Sequence, residues 1–134
     1  MKISVVIPIY NEKNTIKKVI AKVEATNLVK EIILIDDYST DGTRGILDEY
    51  RDKNGFQVLF HASNMGKGAA LRTGFAKVTG DIIIIQDADL EYDPTDYRVL
   101  LEPILDGRAD VVFGSRFLGG PHRVHLYFHY VANR

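Results

Sequence analysis

Three runs of this chain are so apolar and so rich in β-branched residues that neither of their faces can meet water: ISVVIPIY (3–10), EIILIDD (31–37) and DIIIIQD (81–87). Strands that read this way are covered on both sides, which is the habit of parallel sheets packed between helices. QVLFHA (57–62) and ADVVFGSRF (109–117) extend the series to five expected strands. Helical spacing fills the gaps. Ile16, Val19, Ile20 and Val23 recur on one face, with Asn14 as the expected N-cap. Ile46, Leu47 and Tyr50 mark a short helix, and GKGAALRTGFAKV (66–78) a third. Pro94 suits the first turn of a helix carrying Tyr97, Leu100, Leu101, Ile104 and Leu105. Pro103 is expected to strain or end that helix. Strict alternation of the two periods predicts an α/β fold with a doubly wound, largely parallel sheet. The length of 134 residues fits a single domain, 1–134, and 46% apolar residues suffice for a real core.

Composition narrows the function. A net charge of −1 gives no basic footprint, so no nucleic-acid partner is expected. With no cysteine there are no disulfides, zinc-thiolate sites or thiol nucleophiles. No run approaches the roughly 20 apolar residues of a membrane span. Met1 and Lys2 lead straight into a strand, so no signal peptide is expected. These features fit a cytoplasmic setting.

Each expected strand ends in polar groups. Pro8, Tyr10, Asn11 and Glu12 follow the first, Asp36 and Asp37 the second, and His61, Asn64, Gly66 and Lys67 the third. Asp87 and Asp89 follow the fourth, and Ser115 and Arg116 the fifth. Open α/β sheets bind ligands outside the carboxyl ends of their strands, so all five deliver polar groups to one edge. The common nucleotide motifs are absent. PIYNEKN has no glycine for a dinucleotide turn, and around Gly66-Lys67 the chain has His61 and Gly68 where a phosphate-binding P-loop needs Gly and Ser or Thr. What remains is D-x-D. Alternate residues on an extended chain share a side, so Asp87 and Asp89, with Glu91 next in the alternation, would form a half-shell of hard oxygens. Mg²⁺ or Mn²⁺ commonly takes one or two such carboxylates and completes its sphere with phosphate oxygens and water.

SVVIPIYNE, IILIDDYSTDGT, NMGKGAALRTGF, DADLEYDP and VVFGSRF stand in the order and spacing of the family 2 glycosyltransferases, and nearly the whole chain resembles them. The likeness is greatest to the branch containing the dolichol-phosphate mannose synthases and bacterial polyprenyl-phosphate hexose synthases. The resemblance implies a GT-A fold, a nucleotide-sugar donor (GDP-mannose or UDP-glucose), a divalent metal and inversion at the anomeric carbon. It implies that Pro8, Tyr10 and Glu12 line base and ribose, that Ile35 and Asp37 contribute from the second strand, and that Lys67 lies near the donor. Asp87, Ala88 and Asp89 would hold nucleotide and metal, with Glu91 a further ligand. This chain departs from the pattern at Glu91, where mannose synthases typically carry Gln, and at Tyr38, where Gly is frequent.

A metal on Asp89 would neutralise charge on the departing nucleotide, with Lys67 adding an electrostatic contribution. A phosphate acceptor is already anionic, needs no general base and needs cations to position it. From Val111 to Arg134 there is no acidic residue, while Arg116, Arg123 and Arg134 alternate with aromatics. Arginine suits phosphate, and aromatic residues among bases suit a membrane interface. Residues 1–110 are therefore expected to form the nucleotide and metal half, and 111–134 the start of the acceptor side. Arg116 is expected to act beside Asp89 in catalysis, and Gly119, Gly120 and Pro121 to form a lid. The expected activity is transfer of a hexose, mannose or glucose, to a polyprenyl or dolichyl phosphate at the cytoplasmic face of a membrane. Family members usually continue past a segment like HYVANR, so further segments are expected beyond it. One alternative is a family 2 enzyme acting on a glycan hydroxyl. A signalling receiver domain would need Lys where Ser115 and Arg116 stand, and a haloacid dehalogenase-type phosphatase would carry D-x-D after its first strand.

Overall fold

The structure is a computed structural model that describes residues 1–91 and 93–109, with the backbone of 129–131. Strands β1 (Ile3–Ile9), β2 (Glu31–Asp36), β3 (Phe56–Phe60) and β4 (Ile82–Ile85) alternate with helices α1 (Ile16–Ala25), α2 (Thr43–Asp48), α3 (Lys67–Phe75) and α4 (Tyr97–Leu105). A 3₁₀ turn, Pro94–Asp96, leads into α4, and a short β5 (His129–Val131) follows. The sheet order is β3-β2-β1-β4-β5, parallel across the first four strands. β5 runs antiparallel to β4. The largely parallel, doubly wound sheet expected from the alternation is therefore the one found.

Alternation along the buried strands divides the core in two. Val5, Ile7, Ile9, Leu34, Ile82 and Ile84 pack with Ile16, Val19, Ile20 and Val23 of α1, Leu47 of α2, and Tyr97, Leu100, Leu101 and Ile104 of α4. Val6, Ile33, Ile35 and Ile83 point to the other face and meet Ala70 of α3. At Gly74 a Cβ would lie 2.6 Å from Val6 Cγ1 and 2.7 Å from Ile35 Cδ1, so only a glycine lets α3 seat this closely.

Some local expectations shift. Thr15, not Asn14, occupies the N-cap position of α1. Pro103 lies inside α4, and the helix ends two residues beyond it. Leu105, expected on the apolar face, is 57% exposed. Ala109 is described outside any strand, and the rest of the expected 109–117 strand lies outside the described residues, as do the 119–121 lid and Arg116, Arg123 and Arg134.

Candidate active site

Parallel register brings the carboxyl ends of four strands to one edge: Ile9 pairs with Asp36, Asp36 with Phe60, and Val6 with Ile85. The loops leaving that edge are joined to one another. Asn11 N–H donates to Ser39 Oγ at 2.8 Å, Thr40 N–H donates to Asn11 Oδ1 at 2.8 Å, and Glu12 N–H donates to Thr43 Oγ1 at 3.1 Å. The STDGT turn is thus the support of the YNE loop. Thr15 Oγ1 lies 2.9 Å from both Glu12 Oε2 and the Ala88 carbonyl, where its one proton ties the YNE loop to the D-x-D loop.

Asp37 is buried at the centre of these connections. Its Oδ1 accepts from Met65 N–H at 2.8 Å and pairs with His61 Nδ1 at 2.9 Å, and its Oδ2 accepts from Gly66 N–H at 2.9 Å. In the neutral ring Nδ1 donates to Asp37 and Nε2 accepts from Thr73 Oγ1 at 2.8 Å. Asp37 therefore holds the loop that enters α3, and Oδ2 keeps an acceptor direction for a ligand. Asp36 beside it is fully buried, and its Oδ2 accepts from Arg44 Nε at 2.8 Å. The Arg44 guanidinium also lies over the rings of Tyr38 and Phe60. Tyr38 adopts φ 69°, a left-handed conformation that favours glycine, which is the physical reason glycine suits this position and Tyr38 is the strained departure from it.

One cleft gathers Pro8, Ile9, Tyr10, Glu12, Asp37, Lys67, Ala70, Asp87, Ala88 and Asp89. Every expected nucleotide-site residue lines it except Ile35, whose side chain is fully buried in the core beneath α3. Glu91 also stands outside the lining. Its N–H donates to Asp89 Oδ1 at 3.1 Å, so the chain turns at Asp89 and the extended alternation assumed for the three carboxylates ends there. Among the described residues no three acidic or histidine side chains form a ready chelate. The cleft's volume is about 180 Å³, below the roughly 300–1,000 Å³ typical of pockets for drug-sized ligands.

Charge decides what the cleft can hold. Glu12, Asp37, Asp87 and Asp89 set four carboxylates against the ammonium of Lys67, whose Nζ lies 2.6 Å from Asp87 Oδ1. A diphosphate entering alone would be repelled. Two partly buried hard-oxygen donors that line the cleft, Asp87 and Asp89, fit a divalent cation that takes most of its ligands from phosphate and water. Sequence reasoning missed Ile9, Ala70, Thr15 and Arg44. Ile9 and Ala70 look like ordinary core residues, and Thr15 and Arg44 act through partners distant in the sequence.

Residues 4–132 match the family described as Glycosyl transferase family 2. The chain is 33% identical over 122 residues to dolichol-phosphate mannosyltransferase of Pyrococcus furiosus, covering 90% of this chain and 34% of that protein. It is 37% identical over 117 residues to undecaprenyl-phosphate 4-deoxy-4-formamido-L-arabinose transferase of Klebsiella pneumoniae, covering 83% of this chain and 36% of that protein. Glucosyl-3-phosphoglycerate synthase of Mycobacterium tuberculosis, solved with Mn²⁺, UDP-glucose and phosphoglyceric acid, superimposes with a TM-score of 0.70 at 31% identity over 84% of this chain and 43% of that one. The chain spans about a third of the length of the curated relatives it matches.

Proposed function

The chain belongs to glycosyl transferase family 2 and has a GT-A fold, and from that premise we propose that it binds the donor in an inverting transfer of a hexose to a polyprenyl or dolichyl phosphate. The donor is a nucleotide-diphosphate sugar, GDP-mannose or UDP-glucose. The observation that carries this reading is the acidic cleft with a single lysine at the carboxyl ends of four parallel strands. Bound at Asp87 and Asp89, Mg²⁺ or Mn²⁺ would supply Lewis-acid stabilisation of the leaving diphosphate. Tyr10, 48% exposed, offers a ring face to the base. Glu12 and the open side of Asp37 Oδ2 accept hydrogen bonds from base N–H or ribose hydroxyls. Lys67 meets the diphosphate.

Two relatives named for lipid-phosphate transfer carry different sugars in their names, which supports the acceptor class more firmly than the sugar. In this reading Arg116, Arg123 and Arg134 position the acceptor phosphate, and the protein works peripherally at the cytoplasmic face of a membrane. Among the described residues no helix is long and apolar enough to cross a membrane. The test is a thermal-shift panel of GDP, UDP, GDP-mannose and UDP-glucose with Mn²⁺ or EDTA, followed by a transfer assay. A matched nucleotide at a hundredfold excess over its Kd should stabilise by about 2.7 kcal/mol, with Mn²⁺ present only. Asp89→Asn should remove that gain without lowering the melting temperature of the free protein. Equal binding in EDTA overturns the metal assignment. Transfer to a soluble sugar hydroxyl, with none to a polyprenyl phosphate, favours the glycan-hydroxyl alternative.

A further inference from the structure

Lys67 combines a fixed base with a movable head. It is the first residue of α3. Immediately before it, the N–H groups of Met65 and Gly66 are clamped by Asp37 at 2.8 and 2.9 Å. Behind it, α3 is seated on the sheet through Ala70 and Gly74. The backbone of Lys67 is thus held from both sides. Its side chain is 59% exposed, and a four-carbon stem carries the ammonium across the cleft to Asp87. There Nζ lies 2.6 Å from Oδ1.

That contact puts the ammonium against one of the two carboxylates available to a divalent cation. A dication bound to Asp87 would repel an ammonium on the same carboxylate. Lys67 must then leave, and in a loaded cleft the nearest new anion is a diphosphate. We propose that Lys67 is an exchangeable counter-ion, neutralising Asp87 in the empty cleft and passing to the donor's diphosphate when a divalent cation takes Asp87. The inference rests on the nucleotide-sugar reading above and adds a coupling between the two ligands to it. A cation alone must displace Lys67 with nothing to receive it, and a diphosphate alone meets a lysine already engaged. Each ligand removes the other's obstacle, so the two bind synergistically, and by linkage each raises the other's affinity by the same factor.

The test uses Lys67→Met, which keeps most of the stem and removes the charge. Free Mn²⁺ is followed by its paramagnetic resonance signal, with and without saturating GDP or UDP, in the intact protein. Because a half-exposed ion pair is weak, Lys67→Met should bind Mn²⁺ alone about two- to fivefold more tightly. The same variant should bind GDP or UDP in Mn²⁺ about tenfold more weakly, having lost a charge-assisted partner. The opposite signs are the diagnostic, and Lys67→Arg should preserve the wild-type coupling. Unchanged or weaker binding of Mn²⁺ alone by a folded Lys67→Met protein, with normal nucleotide binding by the wild type, overturns the exchange and leaves the functional reading standing. Failure of the wild type to bind either nucleotide overturns both.

Discussion

Asp37 is buried, and burial pushes its carboxyl pKa up, yet the hydrogen bonds from Met65 N–H, His61 and Gly66 N–H more than offset that and hold it below the ordinary 3.8. A carboxyl whose folded pKa is depressed stabilises the protein above its unfolded value. That contribution is lost as pH falls through the folded pKa, because the unfolded chain then binds more protons. Asp37→Asn replaces one acceptor oxygen with a donor that faces an N–H. It should cost about 1–3 kcal/mol at pH 7, the range for stranding a buried polar group. The gap from wild type should narrow as pH drops below 3.8. Urea titrations between pH 7 and pH 3 read this directly, and a gap independent of pH would mean that Asp37 is not held as its anion. Since Asp37 carries the loop into Lys67, the variant should also bind GDP and free pyrophosphate more weakly, in calorimetry with Mn²⁺.

At the scale of an element, α3 explains how a helix with few large apolar residues stays on the sheet. Its buried positions are Ala69, Ala70 and Gly74, which bring the helix backbone close to Val6 and Ile35. Gly74→Ala gains up to about 1 kcal/mol of helix propensity. It also forces a methyl to 2.6 Å from one fully buried side chain and 2.7 Å from another. Overpacking of this kind costs about 1–3 kcal/mol, so the clash wins and the variant should lose about 1–2 kcal/mol in urea melts. Gly68→Ala is the control, because its Cβ would meet only the end of the flexible Arg72 side chain at 3.6 Å. It should be stabilised by up to about 1 kcal/mol. Two glycines of one helix then give opposite signs, and a loss at both would show that the close approach at Gly74 is not the cause.

For the molecule as a whole, the sequence was most legible where burial writes a pattern. ISVVIPI, EIILID and IIII read as central strands because both faces are covered, and their order along the chain placed Pro8, Asp37, Lys67 and Asp87 at one edge. It was least legible where position depends on a local turn or a distant partner. The chain turns at Asp89, whose Oδ1 accepts from Glu91 N–H, and Glu91 is not among the lining residues, while Ile35 packs in the core on the α3 side of the sheet. Thr15 reaches Ala88, and Arg44 reaches Asp36 and the His61 carbonyl, contacts that no spacing rule announces. β5, at three residues, is too short to carry a period. The strand order has a further consequence, for time. β1 precedes the other described strands along the chain yet lies at the centre, with Ser4 paired to Glu31 and Ile3 to Ile82. Its second edge stays open until β4 has been made, exposing an apolar strand edge to neighbouring chains. Closure of that long loop, not formation of any helix, should therefore limit the folding rate. In pulse-labelled refolding, the amides that bond between β1 and β4 should gain protection together and later than those of α1.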